Sequence, residues 1–258
     1  MDENTEMTGA SGLEKKGGLE KNIGPGSSIV DSQTAKVVNE FGDLVCLVMH
    51  APSRGFNAVG TGFLIGPRHV LTNYHVVEGV EAKNLRCRFD VVSSGNNEFE
   101  VGPLIAVNKI VAESRYSEIE ASGQYSRYSS AQPELGELDY AVLEVDTFVQ
   151  KMSIRDDRSG KQKRDWLPLP SMRPTIEGGA KIYILQHPKG KTLQLASDPI
   201  TNDQPPNGSR LRYLADTEDG SSGSPCFAFT EGPDKKSRLM LVALHNFGDP
   251  GSRLKKSE

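Results

Sequence analysis

Cysteine is scarce in this chain of 258 residues, which contains only Cys46, Cys87 and Cys226. So small and odd a number gives no disulfide framework, and the spacing is not that of a zinc site. Every apolar run is far shorter than the ~20 residues that a membrane-spanning helix requires. The first thirty residues also lack the apolar segment of a secretory signal peptide. We therefore expect a soluble cytoplasmic protein with reduced thiols, without membrane attachment and without bound metal.

Neither sign of charge predominates, because 34 acidic and 30 basic side chains give a formal net charge of −4. Proteins that bind nucleic acids usually carry a strongly basic face, so we expect no nucleic-acid partner. Hydrophobic residues make up only 36% of the chain. A fraction this low predicts mobile segments beside a packed core.

The distribution of apolar residues predicts four regions along the chain. Residues 1–35 are rich in glycine and poor in large apolar side chains, which is typical of a flexible tail. Residues 151–165 are charged and have no apolar face, so they suit a solvated linker that includes the basic run 161–164. Short segments rich in strand-forming residues fill the first domain, 36–150, and the second domain, 166–258.

Strands dominate this prediction, because turn residues separate the short apolar segments and helical periodicity is weak. Residues 210–214 are one of the strands expected in the second domain. Many short strands with turns between them indicate an all-β fold, either barrel or sandwich. Since the linker divides the strands into two groups, two small barrels side by side are the simplest arrangement.

The segment GSSGSP at 220–225 is the strongest local signal for chemistry. Glycines on both sides of a serine permit a tight loop whose N–H groups point inward. Such a loop can expose the Ser222 hydroxyl and direct N–H donors at a developing oxyanion. An ordinary serine–glycine turn between two strands explains the same segment equally well.

A serine hydroxyl needs a neighbouring base to become a strong nucleophile. His75 directly follows a predicted strand–turn–strand unit, and Asp139 precedes the apolar strand that begins at Tyr140. A partly buried carboxylate at Asp139 requires a donor, which His75 can supply. Taken singly, His75 has a structural explanation as a histidine at a strand end, and Asp139 has one as a cap at a strand edge. The order His, Asp, Ser, with separations of 64 and 83 residues, is the order found in chymotrypsin.

Four segments together resemble the signatures of trypsin-like serine peptidases with the chymotrypsin fold, and the likeness extends over about 36–248. They are GTGFLI at 60–65, LTNYHVV at 71–77, LDYAVL at 138–143 and GSSGSP at 220–225. The last resembles the glutamyl endopeptidase branch more than animal trypsins. QHP at 186–188, DTEDG at 216–220 and VALH at 242–245 look like intracellular microbial peptidases that occur with effector or conflict-system modules.

This resemblance implies an all-β fold of two six-stranded antiparallel barrels, with a closing strand that is either missing or supplied by Arg253 and Leu254. It implies that Ser222 is the nucleophile, that His75 is the general base and that Asp139 orients His75. The N–H groups of Gly220 and Ser222 would form the oxyanion hole. No cofactor and no metal are implied.

The same resemblance leaves the cleavage preference open. Thr217 and His245 match the residues that line the primary pocket of glutamyl endopeptidases, and a histidine there can bind an acidic side chain. Asp216 occupies the position that is acidic in trypsins, where it selects arginine or lysine. Cleavage after acidic and after basic residues are both compatible with these three residues.

The leading hypothesis is therefore a serine endopeptidase that acts on protein or peptide substrates in a regulatory or defence role. A regulatory partner protein or an effector module is expected with it. One alternative is a non-catalytic, protease-like module that binds peptides in its cleft. A second alternative is a housekeeping protease similar to HtrA, although no peptide-binding domain follows.

Overall fold

The structure is a computed structural model that describes residues 32–51, 55–93, 99–100, 102–122, 132–152, 163–176, 179–204, 208–231 and 236–246. Residues 1–31 of the expected tail, most of the expected linker and the closing-strand residues Arg253 and Leu254 lie outside the described residues. The domain boundaries drawn from the sequence therefore stay predictions.

The described residues form three α-helices and twelve strands. In chain order these are α1 (Ser32–Phe41), β1 (Val45–His50), β2 (Asn57–Gly66), β3 (His69–Thr72), α2 (Tyr74–Val77), β4 (Leu85–Phe89), β5 (Val92–Ser93), β6 (Phe99–Glu100), β7 (Leu104–Ser114), α3 (Glu118–Ala121), β8 (Tyr140–Val145), β9 (Lys181–Gln186), β10 (Gln194–Pro199), β11 (Pro225–Glu231) and β12 (Ser237–Leu244). None of the helices in this part of the chain has the length and apolar character needed to cross a bilayer.

The first half of the chain forms a closed antiparallel barrel of six strands in the order β1-β2-β3-β8-β7-β4. Alternate residues of β4 and β8 are buried, as expected for strands with one face on a core. The predicted first barrel is thus confirmed. Because β3 pairs with β8 through Thr72 and Ala141, the residues that follow β3 and those that precede β8 lie at the same end of the barrel.

The second half forms an open antiparallel sheet of four strands in the order β10-β9-β11-β12. The expectation of a second six-stranded barrel is therefore wrong for the described residues. The predicted strand at 210–214 contributes only a single bridge, between Tyr213 and Ile200. The side-chain amide of Gln204 replaces a strand partner there, since it accepts from Arg212 N at 2.9 Å and donates to Arg212 O at 2.9 Å.

Helix α1, which the sequence analysis did not predict, packs on the second sheet. Its Val37 is fully buried, and the ring of Phe41 stacks on Phe227 with centroids 4.5 Å apart. The Tyr183 hydroxyl donates to Gln33 Oε1 at 2.8 Å. The tail boundary expected at residue 35 falls within this helix.

The basic run 161–164 is not solvated throughout, because Arg164 is only 1% exposed. Its guanidinium binds the carboxylate of Asp90 and the carbonyl of Asp43, and it lies over the ring of Phe89. A buried guanidinium requires such partners, since an unpaired buried charge is strongly destabilising. The charged segment between the two halves is thus anchored to the first barrel at its end.

Candidate active site

The structure brings His75 and Asp139 into direct contact at one end of the first barrel. His75 lies on α2, just after β3, and Asp139 lies just before β8. His75 Nδ1 is 2.7 Å from Asp139 Oδ2, and the His75 backbone N–H donates to Asp139 Oδ1 at 3.1 Å. Asp139 is 2% exposed, whereas about a third of the His75 side chain is exposed. A proton on Nδ1 is therefore bound to the carboxylate, which leaves Nε2 free to accept another.

Two neighbours fix the unusual backbone conformation of Asp139, whose φ is +51°. Asn73 Nδ2 donates to Asp139 O at 2.8 Å, and Asp139 N donates to Arg115 O at 3.1 Å. Left-handed backbone at a non-glycine residue is uncommon and persists where surrounding contacts enforce it. Sequence reasoning missed Asn73, although its place two residues before His75 was a usable signal.

The 218–224 loop presents one uncommitted serine hydroxyl. Ser221 Oγ accepts from Glu218 N at 3.1 Å, and Ser224 Oγ donates to Ser221 O at 2.6 Å. Ser222 is half-buried, and its hydroxyl makes no hydrogen bond to the described residues. Of the three serines in this loop, only Ser222 has a hydroxyl that is free to react.

Three backbone N–H groups of the same loop, on Asp219, Gly220 and Ser222, lack partners in the described part of the chain. Ser221 N, Gly223 N and Ser224 N donate to carbonyls at 2.9, 2.9 and 3.1 Å, whereas Gly220 N and Ser222 N do not. Asp219 O accepts from Lys189 N at 2.5 Å. Because the C=O and N–H of a trans peptide point in opposite directions, Gly220 N–H is directed away from Lys189. Gly220 N–H and Ser222 N–H are the two groups that the family resemblance implies for an oxyanion hole.

The 218–224 loop packs against strand β2 of the first barrel. Thr61 N donates to Ser222 O at 2.8 Å. Gly60 separates this carbonyl from Val76, since a Cβ at Gly60 would lie 3.0 Å from Ser222 O and 2.7 Å from the Val76 methyl groups. Gly60 is thus a neighbour of both Ser222 and Val76, the residue that follows His75.

No hydrogen bond joins Ser222 Oγ to His75 within the described residues. The structure therefore brings two members of the predicted triad, His75 and Asp139, into direct contact, while the Ser222 backbone contacts Thr61 on β2. Catalytic hydrogen bonds are often long before substrate binds. The pairing of Ser222 with His75 stays a prediction.

His245, predicted to line the substrate pocket, is 5% exposed and lies behind the 218–224 loop. Its backbone N–H donates to Ser224 O and its carbonyl accepts from Gly223 N, both at 2.9 Å. Its Nδ1 is 2.5 Å from the hydroxyl of Tyr213. Burial raises the pKa of Tyr213 well above its usual value, so the phenol stays protonated and can either donate to Nδ1 or accept from it. Sequence reasoning assigned Tyr213 no role in the site.

The other two predicted pocket residues are less enclosed. The Asp216 side chain is exposed, and its carbonyl accepts from Gln186 Nε2 at 3.2 Å. Thr217 is partly buried. A groove is lined in part by Leu138, Tyr213 and Asn246, and the polar side chains of Arg173 and Arg210 also line it.

We expect the imidazoles of His187 and His245 to stay uncharged well below neutral pH. Burial lowers the pKa of each to about 4, and for His245 the His75 ring adds a smaller repulsive contribution. Their folded-state pKa values lie below the unfolded value of ~6.5. Their contribution to stability is thus complete above pH ~6.5 and is lost as the pH falls towards 4.

Proton NMR of the imidazole C–H signals against pH checks this expectation directly. The two signals can be assigned with the variants His187→Gln and His245→Gln. They should stay constant from pH 8 to ~5.5, while the urea midpoint of unfolding decreases below pH ~6.5. A titration midpoint near 6.5 for either ring would contradict the prediction.

Metal ligands are not gathered in the part of the chain that the structure describes, since no group of three or more His, Cys, Asp or Glu side chains has the required proximity.

A closed antiparallel barrel, a second antiparallel sheet and a His–Asp pair near a glycine-flanked serine are consistent with a chymotrypsin-like fold. Residues 60–232 match the trypsin-like peptidase domain, which is 173 of the 258 residues. The chain belongs to the trypsin-like peptidase family. The family prediction is thus confirmed, whereas the glutamyl endopeptidase branch stays a prediction.

One relative is the uncharacterized protein y4fB of Sinorhizobium fredii (strain NBRC 101917 / NGR234), which is 27% identical over 218 residues. The alignment covers 81% of this chain and 28% of the relative. The chain thus spans less than a third of the length of that relative. Statements on the activity, substrates and partners of the whole protein are therefore proposals.

Proposed function

We propose that the protein is a serine endopeptidase that hydrolyses peptide bonds in protein substrates through an acyl-enzyme. The observation that carries the proposal is the hydrogen bonding of the 218–224 loop. Ser222 carries the one serine hydroxyl of this loop that makes no hydrogen bond to the described residues. The backbone N–H groups of Ser222 and Gly220 are also without partners among them. A structural turn has no need for such a concentration of free donors. A regulatory or defence role with a partner protein stays a prediction.

In the proposed reaction, Ser222 Oγ attacks the scissile carbonyl while His75 Nε2 takes its proton. The carbonyl oxygen becomes an oxyanion that accepts from Gly220 N and Ser222 N. Asp139 keeps the His75 proton on Nδ1 and stabilises the imidazolium. His75 then donates the transferred proton to the leaving amine, and the acyl-enzyme forms. A water molecule then attacks the acyl group while His75 takes its proton. The acyl–Oγ bond breaks, His75 returns the proton to Ser222 Oγ, and the carboxylic acid product leaves.

For the residue that precedes the cleaved bond, we propose a preference for acidic side chains. In this proposal the Tyr213 hydroxyl, 2.5 Å from His245 Nδ1, is the donor, and the ring proton of the neutral imidazole is then on Nε2. Nε2 makes no hydrogen bond with the described residues. It is thus available to donate to a substrate carboxylate near the catalytic histidine.

The acidic residues near the pocket oppose this preference less than the sequence indicates. The Asp216 side chain is exposed to solvent, which screens its charge. Glu218 is 2.8 Å from the ammonium group of Lys189, and this ion pair lowers the pKa of Glu218. The remaining negative charge is therefore at the surface rather than enclosed with His245.

Labelling with a fluorophosphonate followed by peptide mapping tests the hydrolase proposal. We expect one adduct, on Ser222, and cleavage of a mixed peptide library. Absence of both in the folded protein would support a non-catalytic peptide-binding module instead. Cleavage after glutamate that weakens in His245→Gln supports the acidic preference, whereas cleavage after arginine or lysine that weakens in Asp216→Asn would overturn it.

A further inference from the structure

Thr61 on β2 is fully buried and makes four polar contacts around the 218–224 loop. Its N–H donates to Ser222 O at 2.8 Å, and its carbonyl accepts from Thr72 Oγ1 at 2.7 Å. Its hydroxyl donates to Gly220 O at 2.7 Å and accepts from His187 N at 3.0 Å. We propose that Thr61 is a positioning residue that orients the oxyanion hole through its hydroxyl, an inference that rests on the proposed function.

The hydroxyl contacts distinguish Thr61 from a residue that only fills space. Any residue except proline can supply the backbone N–H that binds Ser222 O, whereas the contacts to Gly220 and His187 require a side-chain hydroxyl. They form a continuous chain from His187 N–H through the Thr61 hydroxyl to the Gly220 carbonyl. Hydrogen bonds arranged in such a chain strengthen one another.

Gly220 is the residue that needs this restraint. Its φ of +90° is accessible to glycine, and a Cβ there would lie 2.9 Å from His187 O, so the position excludes a stiffer residue. Asp219 O binds Lys189 N on one side of Gly220, and Gly220 O binds Thr61 on the other. Both flanking peptides are thereby fixed, and the free Gly220 N–H keeps one direction.

Loss of the hydroxyl would leave the Gly220 carbonyl and His187 N–H without their partner. Because glycine rotates at little cost, the loop can turn this carbonyl towards another donor or towards water. Gly220 N–H would then leave the position at which the oxyanion forms. Removal of one oxyanion donor lowers kcat by roughly 10²–10³-fold, and we expect a loss of about 10²-fold here.

The variants Thr61→Val and Thr61→Ser test this role, with Thr230→Val as a matched control. Valine retains the shape of threonine without the hydroxyl, and serine retains the hydroxyl. Thr230 is another buried threonine, 4% exposed, whose hydroxyl has no partner among the described residues. We expect kcat to fall about 10²-fold in Thr61→Val with KM changed less than about threefold. The serine variant and the Thr230 control should stay within about threefold of the wild type.

A substrate-derived peptide aldehyde provides the readout that a purely structural role would not change. Its hemiacetal oxygen occupies the oxyanion hole, so its inhibition constant should rise by the same factor as kcat/KM falls. Thr61→Cys, which has a weak donor, should lie between the serine and valine variants and replaces valine if that variant does not fold.

Wild-type kcat in a folded Thr61→Val or Thr61→Cys, or failure of the serine variant to restore activity, would overturn the role of Thr61 alone. A wild type that neither hydrolyses peptides nor reacts with a fluorophosphonate would overturn the proposed function itself, and this role with it.

Discussion

Replacing Ser222 by alanine is expected to lower kcat/KM for peptide hydrolysis by ~10⁴-fold or more, with little change in stability. The chemical step loses its nucleophile, while the N–H groups of Gly220 and Ser222 remain. The Ser222 hydroxyl makes no hydrogen bond to the described residues, so its removal leaves no buried group without a partner. Hydrolysis rates, fluorophosphonate labelling and the thermal midpoint of unfolding, measured together, check both parts of the expectation.

Ser224→Ala is the matched control, because Ser224 lies two residues further in the same loop and is fully buried. Its hydroxyl donates to Ser221 O at 2.6 Å, so we expect a loss of about 1 kcal/mol in the free energy of unfolding. Fluorophosphonate labelling should persist. Labelling of the Ser222→Ala protein, or loss of labelling in Ser224→Ala alone, would show that the reactive hydroxyl is not that of Ser222.

The first barrel and the His75–Asp139 contact could be predicted because local patterns determine them. Alternating apolar residues predict the strands, and the pairing of β3 with β8 then places the two residues at one barrel end. The 220–225 glycines likewise indicated a tight loop, since Gly220 and Gly223 have φ values of +90° and +87°. In each case the signal lies within a few residues of the group concerned.

Contacts between distant segments explain what could not be predicted. The Gln204 side chain binds both backbone groups of Arg212, whose carbonyl also accepts from Thr201 N, and the predicted strand at 210–214 forms only one bridge. Arg164 is part of a charged segment but is buried against Asp90, which lies 74 residues earlier. Neither the glutamine nor the arginine differs in sequence from a solvated polar residue, because no local pattern marks its partner, which lies 8 residues away for Gln204 and 74 for Arg164.

The substitution Asp139→Asn is expected to reduce kcat by about 10⁴-fold while KM changes little. In the variant Asp139→Asn, Oδ1 continues to accept from the His75 backbone N–H, which lies 3.1 Å from the carboxylate oxygen. The amide Nδ2 then faces His75 Nδ1, where the carboxylate oxygen is 2.7 Å away in the wild type. The reverse orientation would place two donors, the amide and the His75 N–H, opposite each other.

An amide donor at Nδ1 makes this nitrogen an acceptor and moves the ring proton to Nε2. A protonated Nε2 cannot take the proton of Ser222, so the nucleophile is no longer activated even though all three side chains stay in place. Nitrogen-15 NMR of His75 measures the tautomer, and steady-state kinetics measure the loss of kcat. The control Asp146→Asn changes an exposed carboxylate just after β8 and should leave both unchanged. A proton still on Nδ1 in Asp139→Asn, or kcat within about tenfold of the wild type, would show that Asp139 does not set the state of His75.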